Sequence, residues 1–213
     1  SGLVTGGIGV IVGLPALRIK GLYLGLATLA FQFITDHVIV HAETLTGGAN
    51  GMIVPAPALG SFAFDTDLRF YYIAAPLALL LGLAMVNLQR SRFGRALVAI
   101  RDSDVAAEAV GVNLARYKTL AFGVSAAYAG VAGSLLAHYL GYIGPDHFTV
   151  MKSIEYVVMI IVGGPGSILG SLLGAIFVTW LPEVMRFGEE ALRSFFPHLV
   201  FPDLRAIVMG LVL

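Results

Sequence analysis

The sequence predicts an all-α protein, a polytopic transmembrane helical bundle that contains broken or re-entrant helices. Three observations support this prediction. The chain is 58% hydrophobic and only 12% charged, whereas an ordinary soluble domain has about 25% charged residues. It contains uncharged stretches near the length of about 20 residues that crosses a bilayer. A further apolar block is interrupted by the turn sequence GGPGS, which indicates a broken helix.

Three apolar blocks are long enough to be membrane-spanning helices. Residues 70–88 carry no charged side chain, and residues 119–140 carry only a histidine. Residues 21–40 form a third block, which contains Asp36 and His37 close to its end. We therefore predict three spanning helices in these blocks.

Apolar runs also meet both ends of the chain. The sequence begins inside the run of residues 2–17 and stops inside the run of residues 206–213. We expect residues 1–213 to form a single transmembrane domain that is trimmed at both ends. The number of spans counted here is therefore a minimum.

The last long apolar block is divided into two short halves. Residues 154–162 and 168–181 flank the turn GGPGS, and neither half alone has the length of a span. Irregular backbone at membrane depth is tolerated where it lines a cavity, and broken helices mark binding sites in transporters. We therefore place four residues of this turn in a translocation path: Gly163, Gly164, Gly166 and Ser167.

Small residues recur at helical spacing in two of the blocks. One stripe consists of Gly166, Gly170 and Gly174, and the other of Ala126, Gly130 and Ser134. Small residues four apart allow two helix backbones to approach closely. The sequence therefore predicts tight helix packing along both stripes.

The basic residues are concentrated in one connection. Residues 90–118 contain six Lys and Arg residues, whereas residues 41–68 contain none. Because short cytoplasmic loops are rich in Lys and Arg, residues 90–118 are predicted to be cytoplasmic. Alternation then places Arg18 and Lys20 in a cytoplasmic turn and residues 141–153 outside.

The densest cluster of charge lies within this loop, in the stretch AIRDSDVAAEAVGVNLARYK, residues 99–118. Asp104 is suited to cap a short helix, Gly111 to end it, and Asn113 to cap the next helix. The short helix has apolar residues on one face: Val105, Ala109 and Val112. Such a helix suits docking into a soluble partner, and it equally suits lying on the membrane surface.

Several stretches resemble one family of membrane proteins. The stretch GRALVAIRDSDVAAEAVGVNLARYKTLAFGVSAAYAGVAGSL is similar to the cytoplasmic EAA loop of permease subunits from ATP-binding-cassette importers. KGLYLGLATLAF, TGGANG and VGGPGSILGSLLGA resemble, in the same order, the M-type permease of branched-chain amino acid importers. The resemblance covers about residues 14–213. The proline that usually ends the EAA loop is absent after Gly111, and the first spans of the family are missing.

The resemblance implies a permease subunit without catalysis of its own, in the plasma membrane of a bacterium or archaeon. It implies as partners a homologous permease subunit, two cytoplasmic ATPase subunits and an extracytoplasmic substrate-binding protein. ATP and Mg would be held by the ATPases, because this chain lacks a glycine-rich loop followed by Lys and Ser or Thr. The residues expected to couple to the ATPases are Arg101, Asp102, Asp104, Ala107, Glu108, Ala109, Gly111 and Arg116.

The formal net charge of the chain is zero, so there is no electrostatic basis for a nucleic-acid partner.

Other polar residues are candidates for the translocation path. Polar side chains within a membrane are costly and face the bundle interior. On this ground we expect Thr28, Gln32, Asn50 and Ser125 to line the path. The alternative that Thr and Ser side chains only bond helix backbone stays open.

Two other functions are compatible with parts of the sequence. Asp36, His37, His41 and Glu43 have the residue types of an intramembrane metalloenzyme, although the chain lacks the glutamate of the HExxH pattern between its histidines. An autonomous ion-coupled carrier would titrate Asp36 or Glu155. We expect no metal site in this chain.

Overall fold

The computed structural model describes residues 1–16, 22–55, 57–59, 62–63 and 66–195. The chain divides into two compact units, Ser1–His147 and Phe148–Leu213. Most of the described residues are helical and only a few lie in short strands, so the predicted all-α class is confirmed. The predicted turn at Arg18 and Lys20 and the apolar run of residues 206–213 lie outside the described residues.

Four helices of the described chain are long and apolar enough to cross a membrane. Three of them belong to the first unit: α2 Leu22–His41, α4 Asp67–Arg90 and α7 Leu114–Leu140. They coincide with the three predicted spans, and almost none of their residues are buried within the chain. The fourth, α9 Ile168–Phe195, belongs to the second unit.

The first unit is held together by helix α1, Gly2–Ala16, which packs along α7. The glycines on the contact face of α1 recur every three or four residues: Gly2, Gly6, Gly9 and Gly13. Gly2 lies opposite Val131 and Gly13 lies opposite Phe122, so the two helices are antiparallel. This is the arrangement that the predicted topology requires.

The predicted small-residue stripe of α7 forms part of this contact. Gly9 meets Ala126, and Gly130 leaves room for the side chain of Thr5. A side chain at either glycine would overlap the opposite helix. The prediction of tight packing is therefore confirmed for Ala126 and Gly130.

Helix α4 is also antiparallel to α7. The Tyr128 hydroxyl of α7 donates a hydrogen bond to the backbone oxygen of Leu81, 2.9 Å away. Near the other end of the pair, the rings of Phe70 and Tyr139 have centroids 5.5 Å apart. These contacts fix the two spans that flank the polar loop of residues 90–118.

Short elements cover one end of the first unit, on the side predicted to be external. After α2 come α3 Glu43–Thr46, the 3₁₀ turn Gly48–Asn50 and strand β1 Met52–Ile53, which pairs with β4 Tyr142–Ile143. Strands β2 Ala58–Leu59 and β3 Phe62–Ala63 form a second antiparallel pair. Gly47, Gly48 and Gly51 all have positive φ, so the sequence TGGANG folds here as a tight turn.

The second unit contains a helical hairpin. Helix α8, Val150–Gly163, is joined to α9, Ile168–Phe195, by residues 164–167. Gly163 lies against the backbone of Gly170, and Gly174 lies against that of Met159. The predicted packing along Gly170 and Gly174 is therefore confirmed, and the two helices run antiparallel.

The two halves of the hairpin differ in length. The 14 residues of α8 extend about 21 Å, short of the roughly 30 Å of a hydrocarbon core. The prediction that the second half is also too short is wrong, because the helix continues through Pro182 and its apolar part, Ile168–Phe187, reaches span length. The short α8 bears out the prediction of a broken or re-entrant helix.

Candidate functional site

The polar loop between α4 and α7 folds as two short helices, α5 Arg92–Asp102 and α6 Asp104–Ala109. The turn into α5 is made by Ser91, whose Oγ accepts hydrogen bonds from the backbone N–H groups of Phe93 at 3.1 Å and Gly94 at 3.4 Å. Its hydroxyl donates to the backbone oxygen of Leu88, 2.6 Å away. The chain therefore leaves the membrane span and enters α5 without a flexible linker.

Ser103, rather than Asp104, caps α6. Ser103 has an extended backbone, and its Oγ accepts a hydrogen bond from the N–H of Ala106 at 3.2 Å. The prediction that Asp104 is the cap is wrong, because Asp104 is the first residue of the helix. Its Oδ2 instead pairs with Nζ of Lys118 at 2.8 Å. Both side chains are partly buried, so the pair ties α6 to the first turns of α7.

The end of α6 follows the sequence prediction. Gly111 has a φ of +87°, and its N–H donates to the backbone oxygen of Glu108, 2.9 Å away. Asn113 then caps α7 by accepting a hydrogen bond from the N–H of Arg116 at 3.0 Å. The predicted roles of Gly111 as a helix stop and of Asn113 as a cap are confirmed.

The apolar face predicted for α6 does not pack against the chain. Val105 and Ala109 are exposed, and the residue that faces inward is Ala107, which is 2% exposed. The exposed fractions of Val105 and Val110 are 78% and 77%. We use the term α6 surface for Val105, Glu108 and Val110, which are all exposed on this short helix and its end.

An open groove of about 480 Å³ lies between the end of α6 and the first turns of α7. It is lined by Glu108, Gly111, Val112, Asn113, Leu114, Ala115 and Lys118. Nearby, Arg101 and Asp102 form an ion pair at 3.2 Å in which both side chains are about two-thirds exposed. Exposed pairs of this kind contribute little to stability. The charges around α6 are therefore accessible to a partner.

The structure does not bring the predicted path residues of the first unit together in one place. Thr28 and Gln32 lie on α2, Ser125 lies on α7, and Asn50 is exposed in the TGGANG turn. The hydroxyls of Thr28 and Ser125 donate to backbone oxygens of their own helices, at 2.8 and 3.0 Å. The backbone oxygen of Asn50 accepts from the hydroxyl of Tyr142 at 3.0 Å.

The acidic and histidine residues near the end of α2 do not converge. The rings of His37 and His41 stack with centroids 3.9 Å apart, and Nδ1 of His41 is 2.9 Å from the backbone oxygen of His37. Asp36 accepts a hydrogen bond from Nε2 of Gln32 at 3.4 Å. Within the part of the chain that the structure describes, no three metal-binding side chains are grouped to hold an ion.

Glu155, which an ion-coupled carrier would titrate, lies in the second unit and has a cationic partner. Glu155 forms an ion pair with Lys152, with Oε2 and Nζ 2.7 Å apart. The two residues are one helical turn apart at the start of α8. The pair offsets the charge of the carboxylate at this position.

The turn between α8 and α9 has a conformation that requires glycine. Gly164 and Gly166 have φ of +93° and +90°. Oγ of Ser167 accepts a hydrogen bond from the N–H of Gly170 at 3.0 Å and so caps the start of α9. Gly163 has no room for a side chain, because it touches the backbone of Gly170.

The comparison with known families decides the class of protein. A family model described as "Branched-chain amino acid transport system / permease component" matches residues 1–213. The chain belongs to this permease family. The match confirms the resemblance stated from the sequence. No solved structure matches the permease.

Curated relatives agree with the family match. The permease is 32% identical to the high-affinity branched-chain amino acid transport system permease protein LivM of Salmonella typhimurium, over 89% of this chain and 50% of the relative. The figures for LivM of Escherichia coli are the same. A probable branched-chain amino acid transport permease protein LivM of Methanocaldococcus jannaschii is 25% identical, over 79% of this chain and 49% of the relative. The chain spans about half the length of these relatives.

The family and the four apolar helices together establish where the permease is located. It is a multi-pass protein of the bacterial or archaeal plasma membrane. The family is one of transport permease components.

Sequence reasoning missed two residues of the polar loop, Ser103 and Lys118. A serine directly before Asp104 was the available signal for the first, whereas nothing local pointed to the second.

Proposed function

We propose that the permease is the membrane subunit of an ATP-driven importer of branched-chain or related amino acids, and that the polar loop receives the movement of ATP-binding subunits. The observation that supports this proposal is the α6 surface, whose two valines are exposed although α6 is tied to both neighbouring spans. In this proposal the chain binds no cofactor, and ATP and Mg are bound by two cytoplasmic ATPase subunits. A homologous permease subunit and an extracytoplasmic substrate-binding protein complete the assembly.

The connections of α6 allow a displacement of this helix to be transmitted to the two neighbouring spans, α4 and α7. Ser103 alone separates α5 from α6, and Ser91 joins α5 directly to α4. The pair between Asp104 and Lys118 joins α6 to α7. A displacement of α6 therefore moves both spans, which is the rigid-body movement needed to switch a transporter between outward and inward states.

The chemistry of the α6 surface suits a protein partner. Burying a valine that is otherwise exposed contributes about 1.5–3 kcal/mol, and Val105 and Val110 are each more than three-quarters exposed. Charged residues form a polar rim around an apolar centre in many interfaces. In this proposal the charged residues among those predicted to couple form such a rim around Val105 and Val110: Arg101, Asp102, Asp104, Glu108 and Arg116.

The path for the substrate is proposed in two places, each within one unit. In the second unit, the turn residues Gly163, Gly164, Gly166 and Ser167 present backbone groups that suit the charged ends of an amino acid. The support is the short α8 and the two positive φ angles. In the first unit, the proposed path residues are Thr28, Gln32, Asn50 and Ser125.

Purification of the permease from its native membrane in mild detergent tests this proposal. We expect a second permease subunit and ATP-binding subunits to copurify, and we expect ATP hydrolysis by the complex to rise when a loaded binding protein is added. Mass spectrometry of the ligand on that binding protein identifies the cargo. A permease that purifies without ATP-binding subunits yet transports in vesicles that lack ATP would contradict the proposal.

A further inference from the structure

One face of α2 carries three polar residues in the middle part of the helix. Thr28, Gln32 and Asp36 follow one another at intervals of four residues, so they lie above one another on one face of the helix. The Gln32 amide donates to the Asp36 carboxylate at 3.4 Å, which joins two members of this row. Leu26 and Ile34, which are exposed apolar side chains, lie on other faces of α2.

The position of this row within the membrane makes it costly. The 20 residues of α2 extend about 30 Å, which places Gln32 near the middle of the span and Asp36 about 7.5 Å from its outer end. Polar and ionisable side chains within a spanning helix are costly and rarely face lipid. The row therefore faces water or protein rather than lipid.

The helix contacts elsewhere in this permease differ in residue type from the row on α2. Where helices of this permease pack, they do so through small residues, as along Gly9 and Gly130 in the first unit and along Gly170 and Gly174 in the second. The row on α2 consists of larger polar side chains. In the described chain, α2 makes its main contacts with α3 and the 3₁₀ turn Gly48–Asn50 at its outer end.

We propose that Thr28, Gln32 and Asp36 line a water-filled path and that Asp36 binds the ammonium group of an amino-acid cargo. A carboxylate has about four acceptor sites on its two oxygens, so a hydrogen bond from Gln32 orients Asp36 and leaves capacity for an ammonium group. Charge-assisted hydrogen bonds of this kind are stronger than neutral ones. The assignment to an ammonium group rests on the proposed function in amino-acid import.

Single cysteines test which face of α2 meets water. The 213 residues contain no cysteine, so each introduced thiol is unique within them, and labelling is read on this chain. In the assembled transporter in native membranes, Thr28→Cys, Gln32→Cys and Asp36→Cys are expected to react with a charged, membrane-impermeant thiol reagent. The matched controls Leu26→Cys and Ile34→Cys are expected to stay unreacted. Equal reaction of both sets, or reaction of the controls alone, would overturn the proposal.

Transport of radiolabelled leucine tests the role of Asp36. Loss of a hydrogen bond to a charged group is expected to lower uptake by Asp36→Asn about tenfold or more, whereas Asp36→Glu retains part of it. The 2-hydroxy acid analogue of leucine lacks the ammonium group, so it should compete poorly with leucine for uptake by the wild-type transporter. Normal leucine uptake by Asp36→Asn would overturn the assignment.

Two further readouts separate this inference from the proposed function. ATP-binding subunits should copurify with Asp36→Asn as with the wild type, because the polar loop is unchanged. If they copurify and the thiols of the polar row are unreactive, the path assignment alone fails. If the second permease subunit is lost from Asp36→Asn, the row is a subunit interface and the proposal is overturned.

Discussion

Replacing both valines of the α6 surface with aspartate, Val105→Asp together with Val110→Asp, is expected to abolish ATP-driven uptake and the copurification of ATP-binding subunits. Both side chains are exposed, so the change leaves the fold of the permease intact. Losing the burial of two valines weakens docking by about 3–6 kcal/mol, or more than a hundredfold in affinity. Burying a carboxylate without a partner adds to this loss. The measurement is the amount of ATP-binding subunit that copurifies from membranes with equal amounts of permease.

The control for this variant is Ile53→Asp. Ile53 is 85% exposed on strand β1, on the side of the membrane predicted to be external. Its replacement also exchanges an exposed aliphatic side chain for a carboxylate, but away from the α6 surface. ATP-binding subunits should copurify with it normally. Full copurification and normal uptake with the double α6 variant would show that the ATP-binding subunits dock elsewhere.

Gly9→Leu is expected to destabilise the permease by about 1–3 kcal/mol, the usual cost of overpacking. A side chain at Gly9 overlaps the side chain of Ala126 and the backbone of Phe122, so α1 and α7 must move apart. The matched control is Gly7→Leu, because a side chain at Gly7 meets open space. Both changes alter helix propensity alike, so the difference between them isolates packing. Thermal unfolding of the detergent-solubilised permease measures it, and equal stabilities would refute the α1–α7 contact.

The fold class and the positions of the spans were predictable because hydropathy reports directly on transfer into lipid. The predicted spans at residues 70–88 and 119–140 lie within α4 and α7. The length of α9 was not predictable in this way. Pro182 and the charged Glu183 interrupt the apolar sequence, whereas the helix continues through both to Phe195.

Within the polar loop, local features were predictable and tertiary ones were not. Gly111 and Asn113 act on backbone groups within three residues of themselves, and their roles follow from residue type. The ion pair that ties α6 to α7 joins Asp104 to Lys118, which are 14 residues apart, so residue type alone did not indicate it. Ala107 faces inward and Val105 is exposed, as an apolar face that docks on a partner or on the membrane surface must be.

The same difference between local and tertiary features applies to the polar residues of the spans. For Thr28 and Ser125 the sequence left open a bond to the backbone of their own helix, and that bond is what the structure contains. The row formed by Gln32 and Asp36 is visible in the spacing of the sequence. Its significance depends on the surroundings of α2, which spacing alone does not define.

The central claim is that the α6 surface is in the cytoplasm, where ATP-binding subunits can reach it, and a single cysteine at Val105 tests this most directly. Val105→Cys places a unique thiol at a position that is 78% exposed and removes no cap or ion pair. A membrane-impermeant thiol reagent is expected to label it in inside-out vesicles and not in intact spheroplasts, and added ATP-binding subunits should protect it. Labelling in intact spheroplasts would place the polar loop on the outer face of the membrane and contradict the coupling role.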